Sequence, residues 1–420
     1  LFRSLGATEF HFGLLSGLSL ICIVFQFAGA HWTNHMRHRR PWFMCLVIAG
    51  RLMYLPVALL PLVPGFPRDK LVLTQISLIT LGSALQTVTF PMWMSWMGDL
   101  IPRRILSRYW ADRQRYLTLT MMAASLAITA IAYWLHGVSV QTLFVALAMI
   151  GCTAGTLDIL LFRRIREPPN AMANGHPWDT LREPLRDRNY RKLVLFLCAF
   201  NGASAIAAVF MQIYALECLR VPLWLTALIW CAPSLGIALI SPLWGRLNDR
   251  FGSRPILLVC VALKPLIAAV FLLVTPAWAV PVLAAALFLD SFLNSGIELS
   301  TNSYMLRMAP RENRPMFIAM TGGMAGLVGG LAAILAGAFL RQTSGFSLEF
   351  AGRHWNHYQL VFLISFLLRL PCVALASRIR EPASASSRVV LEYLLGLWPL
   401  RAFLLPADLY RRIRGANEEP

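Results

Sequence analysis

The sequence predicts an all-α membrane protein with eleven spanning helices in two related bundles, and three observations lead there. Of 420 residues, 57% are apolar and only 14% charged, with a mean hydropathy of +0.60. A soluble chain of this length would carry about a quarter charged residues. Eleven apolar runs approach the roughly 20 residues that let a helix pair all its backbone groups inside hydrocarbon. Period-two alternation is missing, which excludes a transmembrane β-barrel. Disorder is excluded by the apolar content. The eight cysteines are scattered, mostly within runs and without a CxxC pair, so they read as small buried apolar side chains. Neither a disulfide framework nor a metal site is expected.

In chain order the runs fall near 11–30, 42–64, 71–98, 116–136, 140–162, 193–217, 223–244, 256–276, 280–303, 317–340 and 359–379. The net charge of +18 and pI near 10.3 would point to nucleic acid in a soluble protein. Here the connections 31–41, 101–115, 163–192, 245–255 and 307–315 and the tail from 378 hold 29 of the 38 Lys and Arg. Positive connections stay cytoplasmic, so these ends face inward in the plasma (inner) membrane and the C-terminus is cytoplasmic. No nucleic-acid partner is needed; the lipid bilayer and a small solute are the expected partners, and a monomer the expected assembly. Only three of the 38 are Lys, which suggests a GC-rich bacterial source.

An internal repeat organises the chain. Arg164-Ile165-Arg166-Glu167-Pro168 recurs after the last run as Arg378-Ile379-Arg380-Glu381-Pro382. In the same register Asn34, Arg40 and Pro41 match Asn248, Arg254 and Pro255. Pro102-Arg103 matches Pro310-Arg311 in a slightly shorter register, so a short insertion or deletion separates the two. The expected divisions are therefore a first bundle 1–163, a central cytoplasmic loop 164–192, a second bundle 193–380 and a tail 381–420. In this register the run 193–217 lacks a first-half counterpart, so a chain short of one helix at its start is expected; a natural eleven-span protein is the alternative. The apolar stretch Val389 to Leu405 is interrupted by Glu392, Pro399 and Arg401, and suits an interfacial helix better than a span.

The second-half loop reads Gly245-Arg246-Leu247-Asn248-Asp249-Arg250-Phe251-Gly252-Ser253-Arg254. It resembles the G-x-L-x-D-R-x-G-x-R loop of the major facilitator superfamily, and the repeat, the span count and the central loop extend that resemblance over essentially the whole chain. The resemblance implies two six-helix bundles that rock about a midplane site. Read physically, Gly245 and Gly252 permit a tight turn, and Asp249 can accept from a neighbouring helix N-terminus. Arg250 and Arg254 can bridge carboxylates across the inner face, holding a gate shut in one state. The plainer alternative is that these arginines only keep the loop inside.

The first-half copy departs from this pattern, with His35 where Asp249 stands. His31, His35 and His38 have ligand-like spacing but sit among arginines that repel a cation; a pH-sensitive gate through His35 competes with a merely solvated loop. Asp99, followed by Arg103 and Arg108, resembles the next inner loop of the superfamily, and can anchor or gate through either arginine.

Ionisable residues inside spans are costly and therefore candidates for function. At mid-bilayer, away from the span ends, six occur: Arg51, Asp158, Lys264, Asp290, Glu298 and Arg369, with formal charges that cancel. Asp290, Asn294 and Glu298 lie at i, i+4 and i+8, on one helix face that the resemblance places against the central cavity. A desolvated carboxylic acid there could carry a proton, the expected coupling ion, or could instead pair with Lys264 or Arg369. Gln86, Trp93, Asn201, Gln212 and Gln26 supply the amides and the aromatic ring that a neutral hydroxylated solute requires, or serve as helix–helix contacts. Arg51 and Lys264, almost repeat-equivalent, could form an anion site or structural pairs. Gly322, Gly326 and Gly330 permit close helix packing.

No phosphate-cradling G-x-x-x-x-G-K-[ST] loop exists, nor an acyltransferase HxxxxD run. The GPxxGG and PESPR-like runs of two superfamily branches are also missing. The expected function is thus secondary transport of a small polar solute, a sugar being the first candidate, by proton symport, without a cofactor and without enzyme activity. An exporter, antiporter or uniporter, or a transport-dead receptor on the same fold, are the alternatives.

Overall fold

The computed structural model describes Leu18 and residues 22–381, apart from 65, 135–138, 173–176, most of 223–231, 344 and 351–352. Among the described residues it is helical, save one short hairpin. The first half contains α1 (Phe25–Asn34), α2 (Arg40–Leu52), α3 (Tyr54–Leu59), α4 (Arg68–Leu100), α5 (Leu106–Trp134) and α6 (Val140–Leu161). A polar connection carries α7 (Pro177–Arg186). The second half contains α8 (Arg188–Glu217), α9 (Ala232–Phe251), α10 (Ser253–Leu273), α11 (Ala279–Met308), α12 (Arg314–Gln342) and α13 (His357–Ser377). The antiparallel hairpin β1 (Ser347–Phe350) and β2 (Arg353–Asn356), paired from Ser347↔Asn356 to Phe350↔Arg353, leads into α13.

Eight stretches are long and apolar enough to cross a membrane: Arg40–Leu62, Lys70–Leu100, Gln141–Arg164, Arg188–Glu217, Ser253–Leu273, Pro276–Met308, Arg314–Gln342 and His357–Ser377. The chain is a multi-pass membrane protein. Of the three other expected spans, the first half of 11–30 and most of the start of 223–244 fall outside the described residues, and the expected interfacial helix of the tail lies wholly outside them. The third, 116–136, lies on α5, which begins well before the expected start and so carries Arg108, Asp112, Arg113 and Arg115 on its first turns. The expected single run 42–64 breaks after Leu52. Pro56 lacks the N–H that would bond the Leu52 carbonyl, and Pro61 tightens the end into a 3-10 turn.

In the first half α4 packs on α1 and α2, and α6 on α2 and α3. In the second, α11 packs on α9 and α10, while α13 packs on α8 and α10 and α12 on α8. The halves meet where α5 lies along α9 and α1 along α12. Glycines make the second contact possible: a Cβ on Gly323 would lie 2.9 Å from the Phe27 ring, and one on Gly326 would overlap Ile23.

The repeat recurs in the contacts. The backbone N–H groups of Arg39 and Arg40 donate to Glu167, and that of Arg254 donates to Glu381. Arg40 donates to the Arg163 carbonyl (3.2 Å), and Arg254 to that of Ser377 (3.0 Å), the repeat counterpart of Arg163. Trp96 donates to the Arg166 carbonyl (3.2 Å), and its counterpart Tyr304 to that of Arg380 (2.7 Å). In each half the glutamate after the last helix satisfies N–H groups at the start of α2 or of α10, where the helix dipole favours a carboxylate.

Candidate functional site

A cavity of about 650 Å³ opens among α2, α4, α5, α6 and α11. On its α5 wall the Arg113 guanidinium lies 4.6 Å from the Trp93 ring centre and 5.5 Å from that of Trp110. The two indoles pack edge to face at 5.3 Å. This cation–π arrangement fixes a positive charge against aromatic faces, where desolvation strengthens it. Gln86 and Asn302 add amide groups, and Glu298 approaches from the second half.

Asp290, Asn294 and Glu298 line one face of α11, but they stand in different states. Asp290 accepts from Lys264 at 2.5 Å and from Asn294 at 2.8 Å. Lys264 is 2% exposed, and the equally buried Arg369 donates to the Lys264 carbonyl. Asp290 thus neutralises buried positive charge, and removing it would leave an uncompensated cation. Glu298 is exposed and has no hydrogen bond or ion pair among the described residues. On α2, Arg51 pairs with Asp158 at 3.2 Å. Both of the near-equivalent bases therefore meet an acid.

The other amides disperse. Gln86 and Trp93 line the cavity, whereas Asn201, Gln212 and Gln26 do not. Asn201 donates to its own helix at Leu197 (2.9 Å), Gln212 is exposed, and Gln26 sits at the α1–α12 contact beside Gly322.

Two polar clusters join the halves at the end that carries the basic connections. In the first, Asp249 accepts from the backbone N–H groups of Ser107 (3.1 Å) and Arg108 (2.9 Å) at the start of α5. Arg307 pairs with Asp249 at 3.1 Å and with Glu381 at 3.6 Å. Arg108 takes part through its backbone rather than its charge. Arg254 binds the Ser377 carbonyl, and Arg250 lies 5.2 Å from the Phe251 ring. The two glycines divide their roles. Gly252 adopts φ 88°, which L side chains rarely reach, whereas Gly245 is a packing glycine whose added Cβ would lie 2.5 Å from that of Ala111.

In the second cluster Asp99 pairs not with Arg103 or Arg108 but with Arg39 (2.8 Å) and Arg314. Beside it Asn34 donates to Asn313, which donates to the Thr180 carbonyl (2.9 Å) and to Glu183 on α7. The central connection is thereby tied to both halves. His35 is exposed, and its Nδ1 lies 2.8 Å from its own helix's His31 carbonyl. The contact between halves that Asp249 makes in the second half is made here by Asn34 and Asp99.

Sequence reasoning missed Arg113, Trp110, Arg39, Arg307 and Arg314, all assigned to connections by their charge or by an assumed helix start. Arg113 was legible in principle: placed on a helix running back to Leu106, it falls one helical turn beyond Tyr109 and Trp110, on a span's first turns.

A family model described as Major Facilitator Superfamily matches residues 223–407. No curated protein matches the sequence. Among solved structures, the E. coli fucose:proton symporter FucP is similar with a TM-score of 0.66 at 14% identity, over 90% of this chain and 92% of that one. The major facilitator proton:xylose symporter XylE, bound to 6-bromo-6-deoxy-D-glucose, gives 0.64 at 12%, over 92% and 91%. A bacterial homologue of the iron transporter ferroportin, outward-facing with soaked iron, gives 0.65 at 10%, over 89% and 91%. At these identities the likeness speaks for the fold.

Proposed function

We propose that the chain is a major facilitator transporter and carries a small polar solute, a sugar in the first instance, across the plasma membrane by proton symport; the family model over residues 223–407 and the transporters among the structural neighbours support this reading. Two related bundles, 1–163 with five of its expected spans and 193–380 with six, rock about the cavity with their basic connections in the cytoplasm. Amides at Gln86 and Asn302 bind hydroxyl groups, and the indoles of Trp93 and Trp110 offer apolar faces. The sugar:proton symporters among the structural neighbours support this substrate class. With the clusters at Asp249 and Asp99 closed, the cytoplasmic side is shut.

One observation carries the coupling: Glu298 faces the cavity unpaired, opposite Arg113, whereas Asp290 is held by Lys264. An ionised Glu298 on α11 attracts Arg113 on α5 and draws the halves together. Protonation removes that attraction, so proton occupancy biases which state is favoured. Glu298 and Arg113 are therefore the coupling pair, and Asp290 with Lys264 and Arg369 is structural.

Ligand-dependent thermal stabilisation, screened with neutral sugars and with small carboxylates, identifies the solute for flux assays. In vesicles with an imposed proton gradient, Glu298→Gln should abolish uphill uptake and leave counterflow exchange intact. Asp290→Asn should instead lower the yield of folded protein. Uphill uptake at the parental rate by Glu298→Gln would overturn the assignment, and stabilisation by carboxylates alone would displace the sugar.

A further inference from the structure

A second cavity, of about 530 Å³, lies between α2 and α6 and is lined by Arg40, Met44, Cys45, Ile48, Leu160 and Arg163. Arg40 opens the candidate span Arg40–Leu62, and Arg163 lies at the close of the span Gln141–Arg164, so both charges sit at one membrane–water boundary. Below them the walls are apolar. The Arg40 guanidinium is already turned onto the carbonyls of Arg163 (3.2 Å) and Ile165 (3.3 Å). The Arg163 guanidinium is exposed and makes no hydrogen bond or ion pair among the described residues. Glu167, the nearby carboxylate, is spent on the backbone N–H groups of Arg39 and Arg40. The repeat-equivalent of Arg163 is Ser377, whose hydroxyl turns to the Ala374 carbonyl, so this paired positive charge belongs to the first half.

We propose that this cavity binds an anionic phospholipid, with its phosphate between Arg40 and Arg163 and the start of an acyl chain along Met44, Ile48 and Leu160. The occupant must satisfy two demands together: a negative head at the boundary and an apolar tail continuing into hydrocarbon. Phosphatidylglycerol or cardiolipin meets both, whereas a free anion meets only the first. Bound there, the lipid staples α2 to α6 next to the Glu167 contact at the loop end.

Cys45 reports occupancy, because it is exposed and lines the cavity. The purified full chain is placed in phosphatidylcholine bicelles, with or without added phosphatidylglycerol, and alkylation of Cys45 is followed by peptide-resolved mass spectrometry. Phosphatidylglycerol should slow the reaction about fivefold, the effect of one arginine near an anionic headgroup. Arg163→Lys should keep that protection and Arg163→Gln should lose it, while both alkylate like the parent in phosphatidylcholine alone. The proposal fails if phosphatidylglycerol leaves the parent's rate unchanged or protects Arg163→Gln equally. It fails too if inorganic phosphate protects as well as the lipid, which would mark a free-anion site.

Discussion

Asp249 and Asp99 close the same end of the molecule from opposite halves, but the charges are exchanged between them. In the second half the carboxylate stands on the loop and its cation, Arg307, at the end of the fourth helix. In the first half the carboxylate is Asp99, the repeat counterpart of Arg307, and the loop supplies the cation Arg39. Glu167 and Glu381 both accept from backbone N–H groups at a helix start in their own copy. A helix N-terminus offers only donors, so the carboxylates that cap it cannot change sign. An ion pair demands only that opposite charges meet, and it survives if both partners exchange.

Burial separates the two clusters further, and mutations can test the comparison. Asp99 neutralises Arg39, which is fully buried, and Arg314, which is 2% exposed. Asp99→Asn should therefore cost about 3–5 kcal/mol, the usual penalty for stripping one partner from a buried pair. Thermal unfolding in mild detergent measures it, and an unchanged midpoint would mean the cluster is open in solution. Asp249→Asn should cost less, about 1.5–3 kcal/mol, because Arg307 retains Glu381 and the α5 N–H groups retain an amide oxygen. A larger loss than for Asp99→Asn would reverse the comparison. Gly252→Ala should cost about 1–2 kcal/mol, because its backbone (φ 88°, ψ 166°) lies in a positive-φ region that L side chains rarely adopt. The smallest change is expected from His35→Asp, within about 0.5 kcal/mol, since His35 is exposed and turned to its own helix. Should His35→Asp restore stability to Asp99→Asn, the first-half loop can still work in the second-half manner.

The cavity was only partly legible before folding. The common face of Asp290, Asn294 and Glu298 followed from helical spacing, and so did the list of spans whose charges needed partners. Spacing could not divide the three. Asp290 is distinguished by its ion pair with Lys264 from a neighbouring helix, and Glu298 by making no hydrogen bond or ion pair among the described residues. Arg113 escaped because hydropathy marks where a helix becomes apolar, not where it begins, and α5 starts well before its apolar run.

By itself the sequence determined the helical class, the membrane setting, the repeat and the basic end. Those features rest on composition, on period and on the sign of charge near each span, which are local or summed properties of the chain. Tertiary structure alone decided the pairings: Asp99 with Arg314 from the opposite half, Lys264 with Asp290, and Gly245 against Ala111. Partners in an ion pair or a close helix contact are chosen by which helices lie side by side. That choice emerges only when the bundles pack.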